Sequence, residues 1–169
     1  RLFFRPEDIP LIRANARTSL LTDLYQTWAS KPLTELSTAL TQFEASGEMV
    51  RDLMAVLYTL EHSASVYLVE PSETRKDSII DGIERLIVCP YWDYFRDGGT
   101  DVLGIQRASF ATVRVLYARE VLGDAISPEL DKRILAAVAE KGCLPCFRTV
   151  NDMDHPETVK GWDFDEKHT

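Results

Sequence analysis

The chain has 169 residues, 45% of them hydrophobic, with 27 acidic against 19 basic side chains for a net charge of −8. That apolar content suits one domain with a core and excludes a disordered segment, and 8 Gly and 8 Pro exclude collagen-like and low-complexity classes. The acidity argues against a general nucleic-acid binder, since phosphate contacts require a basic face, and no apolar run reaches the ~18 residues of a membrane span.

The apolar spacing is helical nearly throughout. Leu20, Leu21, Leu24, Tyr25 and Trp28 recur three and four residues apart, and Leu33, Leu36, Leu40 and Phe43 repeat the pattern after Pro32, which breaks the first helix. Ser46-Gly47 ends that segment. Met49, Val50, Leu53, Met54, Leu57, Leu60 and Leu68 then lay an apolar stripe along the next helix, closed by Pro71-Ser72. Thr74 and Asp77 have the spacing of a capping box opening a helix with Ile79, Ile80, Ile83, Leu86 and Ile87. Pro90 stops it.

An aromatic loop, Tyr91-Trp92-Asp93-Tyr94-Phe95, runs into Gly98-Gly99 and a long helix expected from about Asp101 to Leu122. Gly123-Asp124 is its stop. Ser127-Pro128 opens a further helix through Leu130, Ile134, Leu135 and Val138 to Gly142, with a capping residue and Pro in the first turn. No segment alternates at period two, and the Asn-Gly or Asp-Gly pairs of tight hairpins are absent. The expected fold is all-α, in antiparallel helical hairpins over residues 1–150. Residues 151–169 form an acidic, irregular tail holding six acids against Lys160 and Lys167.

The opening Arg1-Leu2-Phe3-Phe4-Arg5-Pro6-Glu7-Asp8-Ile9-Pro10-Leu11-Ile12-Arg13 resembles the start of the heparinase II/III-like polysaccharide lyases. Two later patches resemble the same family. One is Leu103-Gly-Ile-Gln-Arg-Ala-Ser followed by Ala118-Arg-Glu-Val-Leu-Gly-Asp124, which looks like an inward-facing helix and its turn in the family's α/α toroid. The other is Glu140 to Thr149 with Gly161-Trp162, similar to an irregular segment that crosses the toroid in some members.

The resemblance implies the N-terminal helical part of an incomplete toroid, completed by a C-terminal remainder of the polypeptide. It also implies cleavage of uronate-containing acidic polysaccharide by β-elimination. In that reaction a Tyr or His removes the C5 proton, a donor neutralises the adjacent carboxylate, and a Tyr or His protonates the leaving oxygen. The paired-Asn motif and downstream His and Tyr of those roles are not found: Asn15 and Asn151 stand alone, and His62, His155 and His168 match no such segment. Catalytic residues are therefore unassigned, and the isolated chain is expected to be inactive. Two rivals stand beside this reading, a non-catalytic carbohydrate-binding or scaffold domain and an α/α-barrel glycoside hydrolase.

Within the chain, the binding candidates are Trp92, Tyr94 and Arg107. Sugar rings stack on aromatic faces, and a planar guanidinium binds a carboxylate through both oxygens. The competing reading has the aromatic loop plugging the end of the bundle. Arg114, seven residues from Arg107, shares its helix face and reads as salt-bridged with Asp101, Glu120 or Asp124.

Other chemistry-bearing residues read as structural. Cys143 and Cys146 have neither a zinc ribbon's spacing nor a thioredoxin-like context, so no metal and no cofactor is expected, and Cys89 makes the cysteine count odd. His62 reads as a satisfied packing histidine, Glu7-Asp8 as acids at a helix start, and Asp163, Asp165 and Glu166 as a solvated tail. No carboxylate pair for glycoside hydrolysis is assignable. Arg rather than Met stands first, which leaves any leader peptide outside the sequence. The compartment stays open, with the polysaccharide reading leaning towards the periplasm or cell exterior.

Overall fold

A computed structural model describes residues 2–94 and 106–151, and these fold as an all-α protein. After a 3₁₀ turn at Pro6–Asp8, the helices are α1 (Ile9–Asn15), α2 (Thr22–Ala29), α3 (Glu35–Ser46), α4 (Asp52–Val69) and α5 (Glu73–Val88). Then come α6 (Arg107–Leu122), α7 (Pro128–Ala137) and α8 (Leu144–Asn151), the last two joined by a π-helical turn at Val138–Cys143. No helix among the described residues is long and apolar enough to cross a membrane. Phe95, Gly98-Gly99, the expected helix start at Asp101, the Leu103-Gly104 patch and the acidic tail beyond Asn151 lie outside the described residues.

α4 is the central helix, meeting α1, α2, α3, α5 and α6. The sequence suggests one apolar stripe on it, yet burial extends around most of its circumference, from Leu53, Val56, Leu57 and Leu60 to Val66, Leu68 and Val69. A helix apolar on most sides belongs inside. Its closest partner is α6, which turns Ala108, Ala111, Val115 and Ala118, all fully buried, towards the core. Small side chains let the two backbones approach. Leu36, Leu40 and Phe43 of α3 and Ile79, Ile83 and Leu86 of α5 complete the same core.

The turns are made by local chemistry. Gly47 ends α3 at φ 63°, a left-handed conformation that costs glycine little, and its N–H bonds Phe43 O at 2.7 Å. Asp52 then pins the α3–α4 turn by accepting from Ser46 Oγ at 2.6 Å and from Arg51 Nε at 2.6 Å. Ser127 caps α7 as its sequence indicates, accepting the Leu130 N–H at 3.2 Å with Pro128 behind it. For α5 the cap is Ser72, not Thr74. Ser72 has the extended backbone of a cap and accepts from Arg75 N, whereas Thr74 already lies inside the first turn.

The Glu140–Thr149 stretch, expected to be irregular, is helical. The α7 helix widens into the π turn and passes into α8, whose first turn accommodates Pro145 because an N-terminal turn has no use for its missing N–H.

Candidate functional site

Asp93 organises the aromatic loop. It is 1% exposed, and its Oδ2 accepts the backbone N–H groups of Arg107 and Ala108, each at 3.1 Å. Its Oδ1 accepts the Tyr94 N–H at 2.8 Å. The carboxylate thus caps the start of α6 from a residue fourteen positions upstream, satisfying two amides that an α-helix leaves without internal partners. One side chain holds the loop and the helix start together.

The three sequence-derived binding candidates divide around this cap. Tyr94 and Arg107 are brought together by Asp93, and Tyr94 is exposed at 42%. Arg107 is half-buried, with Nη1 on Gln106 Oε1 at 3.1 Å and a buried Nε without a hydrogen-bond partner among the described residues. Trp92 points the other way. It is fully buried, its indole N–H donates to Leu86 O at 3.1 Å, and it packs near Gly142. An indole with no exposed face offers no stacking surface, so Trp92 anchors the loop from inside. A cleft of about 280 Å³ lies beside the loop, between Pro90–Trp92 and the Glu140–Arg148 stretch.

A second cluster, which the sequence does not announce, lies on the seam between α4 and α6. The Arg114 guanidinium carbon sits 5.0 Å from the Tyr58 ring centre and 4.8 Å from that of Phe110, both in cation–π range. Its Nε lies 3.0 Å from Glu61 Oε2, an ion pair in which the N–H is not directed at the oxygen. The partner is therefore on α4, not among Asp101, Glu120 and Asp124. Next along α4, His62 stacks on Trp28 of α2, with ring centres 4.8 Å apart and planes at 21°. His62 packs as expected but is not satisfied: Nδ1 is buried and unpartnered. Burial, then Lys31, holds this imidazole below its ordinary pKa.

One turn further on, Ser65 Oγ and Tyr117 Oη share a hydrogen bond of 3.1 Å. Trp28, Ser65 and Tyr117 line an open, mainly apolar cavity of about 420 Å³ with Tyr25, Leu24 and Leu68. Tyr25 Oη donates to Glu70 at 2.7 Å, and burial first, then this carboxylate, raises the phenol's pKa.

The remaining candidates stay apart. Cys143 is exposed and Cys146 half-buried, both as free thiols, and burial raises the Cys146 pKa, opposite to the activation a nucleophile needs. Among the described residues no three His, Cys, Asp or Glu side chains converge as metal ligands. His155, His168 and the acids Asp163, Asp165 and Glu166 lie outside the described residues.

The opening segment is tied to α6. Glu120 accepts the backbone N–H groups of Leu2, Phe3 and Phe4 at 2.7, 3.2 and 3.2 Å, and the Phe3 ring meets Tyr117 edge-on at 5.4 Å. No protein-family model matches the chain, and neither a curated protein nor a solved structure is similar to it.

Proposed function

We propose that this chain is the N-terminal helical portion of a heparinase II/III-like polysaccharide lyase, which cleaves uronate-containing polysaccharide by β-elimination once joined to its C-terminal continuation. The observation that carries the reading is the Glu120 clasp. The Arg1–Arg13 opening and the Ala118–Asp124 patch each resemble that family, and Glu120 of the second receives three backbone amides of the first. Segments far apart in sequence that resemble one family also meet in space, as parts of one inherited framework would. The antiparallel hairpins around α4 are compatible with a section of an α/α toroid.

In this reading Tyr94 and Arg107 face the polymer at the start of α6, Tyr94 by stacking and Arg107 by pairing with a carboxylate. Trp92 and Asp93 hold them in place. The acid and base belong to the continuation.

The test compares the isolated chain with the polypeptide that includes its continuation on heparin, heparan sulfate, alginate and chondroitin. The readout is the ultraviolet absorbance of the conjugated double bond that elimination creates. Product from the longer polypeptide and none from this chain is the expected result. Product from this chain alone would overturn the division of labour. None from either on any of the four polymers would favour a non-catalytic carbohydrate-binding scaffold.

A further inference from the structure

The face of α6 beside α4 carries Arg107, Phe110, Arg114 and Tyr117, spaced three, four and three residues apart and therefore in one row. Arg107 and Arg114 are about 10 Å apart along the helix axis. Across the seam α4 presents Tyr58, Glu61, His62 and Ser65 on the matching row. The row starts at the Tyr94–Arg107 corner and ends at the cavity walled by Trp28 and Tyr117.

Three properties separate this seam from a merely solvated helix face. First, it is aromatic with interleaved charge: Tyr58 is 44% exposed, and its ring flanks a guanidinium with only 9% of its residue surface exposed. Second, among the described residues three buried side-chain atoms have no hydrogen-bond partner, and all lie along it, at Arg107 Nε, Arg114 Nε and His62 Nδ1. Buried polar groups are normally paired, so a concentration of unpaired ones marks a place where a polar partner belongs. Third, the charges balance locally, with Arg114 beside Glu61 and Lys31 paired to Glu35 at 3.0 Å. A balanced pair attracts neither anions nor cations strongly. It offers a carboxylate acceptor next to guanidinium donors, which is what two neighbouring hydroxyl groups require.

We propose that the α4–α6 seam is a saccharide groove. A pyranose ring stacks its C–H face on Tyr58 and hydrogen-bonds neighbouring hydroxyls to Glu61 and Arg114. The inference rests on the polysaccharide reading above and deepens it, because it places an uncharged, hydroxyl-recognising position next to the carboxylate-recognising corner at Arg107. Binding at the seam should therefore be largely insensitive to salt, whereas binding at Arg107 should weaken as ionic strength rises.

The test is calorimetric titration of this chain with two probes, a neutral β-1,4-linked glucose hexamer and a uronate hexamer, at low and high salt. The variants are Tyr58→Ala and Glu61→Gln, each checked for parental helicity and melting temperature. Arg114 is left in place because its burial makes its replacement a risk to folding. The neutral hexamer should bind with similar affinity at both salt levels. Tyr58→Ala should weaken it roughly three- to tenfold, from the stacking lost. Glu61→Gln should weaken it about tenfold, from the charge-assisted bond lost. Tyr94→Ala should leave it within about twofold.

Three results would overturn the groove: no binding of the neutral hexamer, binding unchanged by both seam variants, or binding confined to the uronate hexamer and abolished by salt. The first two would mean that water alone serves the unpaired atoms. The lyase assay fails independently of this one. Hexamer binding through Tyr58 in a polypeptide that cleaves nothing removes the lyase and keeps the groove, and cleavage without seam binding does the reverse.

Discussion

Gly142 offers a direct check on how the π turn seats against α6. A Cβ built there would fall far inside contact distance of Thr112 Oγ1, 3.2 Å from Thr112 Cβ and 3.5 Å from Trp92 Cζ3. Thr112 has little freedom to yield, because its hydroxyl donates to Ala108 O at 2.7 Å and Trp92 on the other side is fully buried. In Gly142→Ala the threonine must rotate or the turn must lift away. Overpacking of this kind costs about 1–3 kcal/mol, and a lost hydroxyl bond adds about 1 kcal/mol. Alanine's advantage over glycine in a helix returns at most ~1 kcal/mol. The net expectation is a loss of about 1–3 kcal/mol, at roughly 2–4 °C in melting temperature per kcal/mol for a domain of this size. Urea unfolding followed by circular dichroism measures it, and the double variant with Thr112→Ala tests the cause. Removing the hydroxyl relieves the worst contact, so the double variant should be more stable than the sum of the singles by about 1 kcal/mol. Additive effects, or a Gly142→Ala protein as stable as its parent, would refute the close approach of the turn to Thr112.

Three further outcomes are expected. Glu120→Ala leaves the Leu2, Phe3 and Phe4 amides without their acceptor, so hydrogen exchange at these positions should rise while exchange in the α4 core stays unchanged. Asp93→Ala removes the cap on α6 and should cost about 1–2 kcal/mol in denaturant unfolding, with Asp93→Asn recovering part of it. His62 is held below its ordinary pKa of 6.5 by burial and then Lys31, with Glu61 and Glu35 pulling the other way and Arg114 adding to the depression. The unfolded chain therefore takes up a proton first as pH falls, so this contribution to stability is full above about pH 6.5 and is lost on descent through the folded pKa. His62→Phe, measured by thermal melts from pH 8 to pH 5, should show a shallower decline than the parent over that window.

The helices were legible wherever burial follows a simple period. Leu36, Leu40 and Phe43 of α3 and Ile79, Ile83 and Leu86 of α5 are spaced as one-sided helices and are buried as such. Ser127-Pro128 and Ser46-Gly47 work as written because a cap or a left-handed stop acts within a few residues. Thr74 misled because two hydroxyl residues stand at the start of α5, and the backbone conformation that selects Ser72 has no separate sequence signal. The π turn also left no mark, since Val138 to Cys143 shows helical composition and the extra residue is accommodated by packing against α6.

The candidate site was half legible for a related reason. Sequence reasoning joined Tyr94 to Arg107 by proximity, and Asp93 does join them, but the same proximity says nothing about which aromatic turns inward. Trp92 goes in because its large ring fills the space between Leu86 and the Gly142 turn and its N–H finds Leu86 O there. Arg114 shows the limit more sharply. On its own helix it has acidic neighbours in sequence, and a local rule pairs it with them. In the folded chain Arg119 takes Asp131 at 2.5 Å and Glu120 turns to the opening backbone, which leaves Glu61, fifty-three positions away, as the carboxylate beside Arg114. Each acid that a local reading would give to Arg114 is therefore either committed elsewhere or, at Asp101, outside the described residues. The competition among carboxylates, not the periodicity of α6, sets the composition of the seam. A variant that returns Glu120 to solvent by deleting Leu2–Phe4 should leave the Arg114–Glu61 pair intact, because the two carboxylates serve different helix faces. Loss of both on that deletion, seen as a change in the Tyr58 ring environment by NMR, would show that the opening segment also shapes the groove.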